Sequence, residues 1–297
     1  MIEGLHFGKQ IFDLTISPGL VSSQSVSVLA WCSGSLAGLN SKNQPMFHKV
    51  RDIVRAEGMS GLARRGIAYA YRLGVRPFSP RVPVRYAGIP ICLDMKWSDR
   101  FVPASWFHND ISDEPGYETA LVAALNETVR PGDSVVVVGG GVGVTAVVAA
   151  LRAGPSGNIQ CFEGSERYVR LAQQTAARNG ITNISIHHAI VAKLIGTFDG
   201  GIASDLGPVL PPSQLPTCNV LEMDCEGAEV EILREMTIQP RVIVVETHGL
   251  YGAPTELVAS LLEERGYVVD DRGIAEPRYE ELHRRQDVRV LLGTLKA

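Results

Sequence analysis

Two groups of residues in this 297-residue chain have the types and spacing to do chemistry. Gly139, Gly140, Gly141 and Gly143 follow an unbroken valine run, and Glu163 lies twenty positions past Gly143. Glycines at the start of a helix let the backbone approach a ligand, and the helix N-terminus can then face a polar or anionic group. An acid closing the next strand can accept hydrogen bonds from both hydroxyls of a ribose. The pair reads as a pocket for an adenosine-containing cofactor; the alternative is a tight turn beside a helix-capping acid. Gly141, Gly143 and Ala146 satisfy the dinucleotide pattern Gly-x-Gly-x-x-Gly/Ala. Gly139, Gly141 and Gly143 satisfy the Gly-x-Gly-x-Gly form of S-adenosylmethionine enzymes, so the loop leaves both cofactors open.

The second group lies downstream. Asp224-Cys225-Glu226-Gly227-Ala228-Glu229 follows the apolar run Val220 to Met223, and Glu246-Thr247-His248 follows Val242 to Val245. If both runs are strands of an open α/β sheet, these residues meet beyond the carboxyl ends, where such sheets bind ligands. Asp224, Glu226, Glu246 and His248 are therefore the candidate catalytic residues. His248 or Asp224 would act as general base, with Glu226 and Glu246 orienting the acceptor or the base. The competing reading makes Asp224 and Glu226 caps at the positive end of the following helix, and His248 a structural residue. Glu229, one turn in, reads as a solvated helix residue. No metal is assigned, although hard oxygen ligands on Asp224, Glu226 and Glu246 would suit magnesium.

The elements that must position these groups are legible from Pro131 onward. Strands are expected at Ser134 to Val138, Ile159 to Phe162, Ile184 to His187, Val220 to Met223 and Val242 to Val245. Helices alternate with them at Val142 to Ala153, Glu166 to Asn179, Ala228 to Met236 and Thr255 to Arg265. A Gly/Pro-rich connection covers Ile195 to Thr217. Valine runs bounded by helices mark strands buried on both faces, and the alternation marks a doubly wound α/β sheet. A short strand at Tyr267 to Asp270 and a last one at Val288 to Leu295 have no clearly periodic helix between them, so the last strand is expected to run antiparallel.

Upstream, Val82 to Leu93 alternates as a hairpin and Glu118 to Val129 reads as a helix. Met46 to about Val75 reads as two short basic amphipathic helices broken at Gly58 and Gly61. Residues 46–85 hold nine Lys/Arg against Asp52 and Glu57, a net of +7, which leaves −11 for residues 86–297 of a chain whose total is −4. Nothing in that total points to a dedicated nucleic-acid binder, while the basic segment could lie on an anionic membrane, hold a phosphorylated or lipid-linked ligand, or simply be a solvated surface. Residues 17–39 are interrupted by serines and lack a basic flank, which argues against a signal or anchor. Three segments follow: a poorly ordered extension over 1–45, a basic helical and hairpin segment over 46–116, and a cofactor domain over 117–297. Five scattered cysteines without a Cys-x-x-Cys pair disfavour disulfides and structural zinc and point to a reducing cytoplasm.

Val137-Val138-Gly139-Gly140-Gly141-Val142-Gly143, Phe162-Glu163-Gly164-Ser165, Met223-Asp224-Cys225-Glu226-Gly227-Ala228-Glu229 and Val245-Glu246-Thr247-His248 together resemble the successive signatures of FkbM-type methyltransferases. The likeness runs from about Tyr117 to the C-terminus, and Asp-x-Glu-Gly-Ala-Glu is its most specific part. It implies a class I S-adenosyl-L-methionine-dependent O-methyltransferase acting on a hydroxyl of a sugar, glycan or other polar metabolite. The implied fold is a Rossmann-like sheet, mostly parallel, with an antiparallel last strand. Gly139, Gly140, Gly141, Gly143 and Glu163 fall on the cofactor. The family's loop usually begins with an acid where this chain has Val137, and Glu118 could take over the cofactor's ammonium. The rival readings are an NAD(P)-dependent oxidoreductase and a non-catalytic cofactor-binding protein.

Overall fold

The computed structural model describes residues 46–93, 96–101, 113–192 and 206–296. The extension expected over 1–45 and residues 195–205 of the connection expected over Ile195 to Thr217 lie outside them. The described chain divides into two units, residues 46–81 with 96–101, and residues 82–93 with 113–192 and 206–296.

The first unit is built on α1 (Met46–Gly74), which is two helices joined at Gly58, where φ is 71° and ψ −175°. A glycine tolerates that positive φ at low cost, so the break falls there. Gly61, the second expected break, continues the helix. Short 3-10 turns at Arg76–Phe78 and Trp97–Phe101 complete the unit. Asp99 holds the second turn to the first: it accepts hydrogen bonds from the Tyr71 hydroxyl, from Arg76 Nε at 3.2 Å and from the Lys96 amide at 2.8 Å.

The second unit begins with the expected hairpin, β1 (Val84–Tyr86) and β2 (Ile89–Ile91), paired antiparallel across Ala87 and Gly88. Sequence grouped this hairpin with the basic helices. It goes instead with the sheet unit, because the Cys92 amide donates to Thr175 Oγ1 at 3.0 Å and Asn179 Nδ2 donates to the Pro90 carbonyl at 2.8 Å. Next come α2 (Thr119–Thr128), β3 (Ser134–Val138), α3 (Val144–Ala153), β4 (Asn158–Glu163), α4 (Glu166–Arg178) and β5 (Ile184–His188). A two-strand parallel ladder joins β6 (Ile190–Val191), just ahead of the expected connection, to β7 (Val209–Leu210) within it. The chain continues with β8 (Val220–Met223), α5 (Glu229–Glu235), β9 (Val242–Glu246), α6 (Thr255–Glu264), β10 (Tyr267–Ile274), α7 (Glu280–Gln286) and β11 (Arg289–Leu295).

Seven strands form one sheet in the order β10-β11-β9-β8-β3-β4-β5. The β3/β4, β4/β5, β3/β8 and β8/β9 pairs are parallel, and β11 runs antiparallel to both neighbours. Sequence anticipated the reversed strand but not α7. This helix is short and polar, with ion pairs Glu280–Arg284 and Glu281–Arg285 one turn apart, and so lacks the apolar stripe that would announce it. Period-two alternation divides the central strands between two cores. Val136 and Val138 pack with Leu221, Met223 and Ile232 on one face, and Val135 and Val137 pack with Leu125, Ala149 and Val220 on the other. Each fully buried valine contributes about 1.5 kcal/mol or more, so the strands that carry the site are among the most strongly held parts of the fold.

Candidate functional site

Strand order reverses between β3 and β8, and both candidate groups lie at that reversal. The carbonyl of Val138, the last residue of β3, accepts from the Asp224 amide at 2.9 Å. Gly139 has φ 89°, and a Cβ there would lie 1.8 Å from the Asp224 carbonyl oxygen. Gly139 is thus a glycine because the acidic corner sits against it. A Cβ at Gly140 would meet Cys161 Sγ at 2.2 Å, and one at Gly143 would meet Ala172 Cα at 3.0 Å. Only at Gly141, with φ 50°, does no described atom lie within 4 Å of the Cβ position. Of the four loop glycines, three are required by protein neighbours and Gly141 alone borders open space.

Glu163 ends β4 facing that loop. Its Oε2 accepts the Gly141 amide and its Oε1 the Ser165 amide, both at 2.8 Å. Burial pushes this carboxyl up to about 7 despite the Ser165 and Gly141 amides, which pull it down. Each oxygen keeps a further acceptor site, so the carboxylate can still take hydroxyl donors. The capping alternative is not what is seen: Ser165, not Glu163, is the N-cap residue of α4.

The downstream group converges on His248. Its Nδ1 donates to Glu229 Oε1 at 2.7 Å, and its Nε2 stands 3.4 Å from Asp224, 3.6 Å from Glu246 and 3.7 Å from Glu226. Four carboxylates therefore surround one buried imidazole. Burial works against a charge on the ring, but Glu229, then Glu226 and Asp224, outweigh it and push His248 up to about 10. At neutral pH it is an imidazolium. A ring already protonated cannot take a proton, which favours Asp224 over His248 of the two candidate general bases.

Glu229 is the larger correction. It reads as a solvated helix residue, yet its exposure is 0% and its carboxylate holds both His248 and, at 3.3 Å, the Cys225 amide. The helix-cap reading of Asp224 and Glu226 fails too, since Ala228 is the N-cap of α5 and no side chain caps it. Glu226 instead adopts φ 53°, and the next position, with φ 103°, is a glycine where a Cβ would strike the Tyr251 carbonyl at 2.6 Å. Positive φ in a non-glycine residue is strain that a packed surrounding must impose. Its carboxylate is the least buried of the four.

Glu118 is likewise buried and strained, with φ 43° at the N-cap of α2, and its amide donates to Glu276 Oε1 at 3.1 Å. Tyr117 connects it to the acidic corner: burial raises the phenol well above its ordinary value, and Glu118, Glu276 and Asp224 raise it further. Sequence reading gave Tyr117, Glu276 and Glu229 no role in the site, and the positive φ of Glu118 and Glu226 that marks their surroundings is invisible in sequence. The magnesium trio Asp224, Glu226 and Glu246 becomes Asp224, Glu226 and His248, whose donor atoms lie within 4.8 Å of one another and could hold a metal ion once His248 loses its proton.

A mostly parallel seven-stranded sheet with one reversed strand next to its edge, and a glycine loop and acid at its switch point, is a Rossmann-like methyltransferase fold. Solved structures of similar fold include precorrin-6y C5,15-methyltransferase from Geobacter metallireducens, 13% identical over 62% of this chain and 89% of that one, with a TM-score of 0.42. Fibrillarin from Aeropyrum pernix with natively bound S-adenosyl-L-methionine is 15% identical over 59% of this chain and 76% of that one, with a TM-score of 0.40. A SAM-dependent O-methyltransferase from Thermotoga maritima is 15% identical over 60% of this chain and 65% of that one, with a TM-score of 0.39. No family model matches the chain, and no curated protein matches it in sequence.

Proposed function

We propose that this chain is an S-adenosyl-L-methionine-dependent O-methyltransferase of the FkbM type, acting on a hydroxyl of a sugar, glycan or other polar metabolite. The observation that carries the reading is the convergence of the Gly141 opening, Glu163 and the Asp224–His248 corner on one switch point. The residues present fit the cofactor. Glu163 would hold the ribose hydroxyls beside the open face of Gly141, and Glu118, with Tyr117 and Glu276, would hold the ammonium. Two features favour this ligand over a nicotinamide dinucleotide. The Gly141 amide, which would face a pyrophosphate, is occupied by Glu163. Glu118, Glu163, Glu229 and Glu246 are all buried at the same end of the sheet, a field that suits a cation and repels a pyrophosphate.

When bound, the cofactor supplies a methyl group on an electrophilic sulfonium. The chain's residues must align an acceptor oxygen and remove its proton, and alignment alone reaches effective molarities of about 10⁵ to 10⁸ M in well-oriented systems. Asp224 takes the proton as general base, and Glu226 and Glu246 orient the acceptor. His248, fixed through Nδ1 by Glu229, keeps Asp224 in place and offsets part of the negative charge.

Thermal shift tests the reading directly. S-adenosylhomocysteine at about 100 times its Kd stabilises by roughly 2.7 kcal/mol, whereas NADH leaves the melting temperature unchanged. The opposite pattern would establish the oxidoreductase alternative. Binding of S-adenosylhomocysteine without transfer to any sugar or polyol hydroxyl would establish the non-catalytic one.

A further inference from the structure

No residue assigned above to methyl transfer lies in the basic helical unit, yet among the described residues this unit holds eight of the thirteen exposed large apolar side chains. Beyond the Gly58 kink, Met59, Ala63, Ile67, Ala70 and Leu73 are all exposed and recur every three or four residues, forming one apolar stripe about 20 Å long. The other side of the helix, marked by Leu62, Arg65, Ala68 and Tyr71, is partly covered. Tyr71 bonds Ser98 Oγ at 2.7 Å there. Asp99 then fixes the 97–101 turn so that Trp97 and Phe101, in edge contact at 4.8 Å between centroids, remain exposed. Large apolar side chains in this unit reach from 50% exposure at Trp97 to 84% at Phe78. Apolar surface gathered in this way marks an interaction face.

The charge of the unit selects the partner. Residues 46–81 and 96–101 contain ten Lys/Arg against three Asp/Glu, a net of +7 in a chain whose total is −4. An apolar helix stripe, on a strongly cationic unit that also exposes the rings of Phe78, Trp97 and Phe101, matches the boundary between anionic headgroups and acyl chains. No described helix is long and apolar enough to cross a membrane, and the stripe needs only to lie in the surface. We infer that the Met59–Leu73 stripe, with Phe78, Trp97 and Phe101, docks this protein on an anionic lipid surface.

Co-sedimentation of the full chain with vesicles tests this inference. The chain is expected to pellet with vesicles of phosphatidylcholine containing 30% phosphatidylglycerol, to stay in solution with phosphatidylcholine alone, and to be released by 0.5 M NaCl. The double variant Ile67→Glu/Leu73→Glu is expected to weaken binding at least tenfold with an unchanged circular dichroism spectrum and melting temperature. Should that variant unfold, Phe78→Asn/Phe101→Asn, which lie outside the long helix, carry the same expectation. Arg64→Ala/Arg72→Ala should weaken binding about fivefold per charge. Absence of binding to anionic vesicles, equal binding to neutral ones, or full binding by the apolar variants overturns the inference. So does a self-associated form, detected by light scattering, that the apolar variants dissociate while vesicles bind neither.

Discussion

In the sheet unit the large apolar side chains are inside, and the charges that matter are buried with them around a crevice; in the helical unit the apolar side chains face out and the basic charge is spread along the chain. The sheet unit does expose Leu151, Val209, Leu250, Tyr251 and Val268, but these are spread over a helix, two strands and a short turn. In the helical unit Met59, Ile67 and Leu73 align along one face of the helix, and Phe78, Trp97 and Phe101 add exposed rings from the two short turns. The difference teaches that the two regions answer to different surroundings. Among the described residues the sheet unit buries its large apolar side chains in two cores and gathers buried carboxylates at one end of the sheet, whereas the helical unit leaves most of its large apolar side chains exposed.

Substitutions should separate the two regions by the kind of loss they cause. Gly139→Ala should have the largest effect, because its new Cβ would meet the Asp224 carbonyl at 1.8 Å. Loss of the folded sheet unit is expected, measured as loss of the cooperative thermal transition. Gly141→Ala should cost only about 1 kcal/mol of stability, from a side chain in the left-handed region, while weakening S-adenosylhomocysteine binding by calorimetry. Equal destabilisation by the two would erase the distinction between packing and ligand-facing glycines.

Asp224→Asn should lower turnover by about 10² to 10⁴ and leave S-adenosylhomocysteine affinity within about threefold. Unaltered turnover would remove Asp224 from the role of base.

The pH response of the sheet unit follows from two raised values. His248 stands at about 10 when folded against an ordinary 6.5, so its contribution to stability is complete below about 6.5 and disappears as pH climbs through about 10. Glu163 stands at about 7 against 4.5, so its contribution is complete below 4.5 and gone above about 7. The melting temperature of the wild type should therefore fall from pH 5 to pH 10. Glu163→Gln should flatten the portion between pH 5 and pH 7, raise the melting temperature relative to wild type more at pH 8 than at pH 5, and lose nucleoside binding. In the wild type, affinity for S-adenosylhomocysteine should rise between pH 6 and pH 8 as the Glu163 carboxylate becomes ionised to accept the ribose hydroxyls.

The smallest effect sharpens the contrast from the other side. Ile67→Glu alone should change the melting temperature of the full chain by no more than about 1 °C, since an exposed side chain away from packing shifts stability by about 0.5 kcal/mol or less. A large drop would mean that the stripe is covered within the protein and that the two regions are alike.

Local pattern made most of the sheet unit legible. The expected strand Ser134 to Val138 is observed without change, and Ile159 to Phe162 and Ile184 to His187 differ from the observed strands by a residue or so at their ends. A valine run buried on both faces has few alternatives. The acidic corner was legible as a location, because strand ends in an open α/β sheet point at the ligand. Its internal wiring was not. Glu229 follows a helix start in sequence and looks solvated, and only β9 brings His248 within 2.7 Å of it. The polar helix α7 was missed because ion pairs between neighbouring turns leave no apolar signal.

Composition and periodicity alone determined that this protein has an α/β sheet with a glycine loop and an acid at successive strand ends, preceded by a cationic amphipathic segment, since those features depend on residues close together in the chain. Tertiary structure alone decided that His248 is a cation held by four carboxylates, that three of the loop glycines serve packing while Gly141 borders open space, and that the Met59–Leu73 stripe faces outward. Charge state and solvent exposure depend on which atoms meet across long sequence separations, and those meetings come into being only when the chain folds.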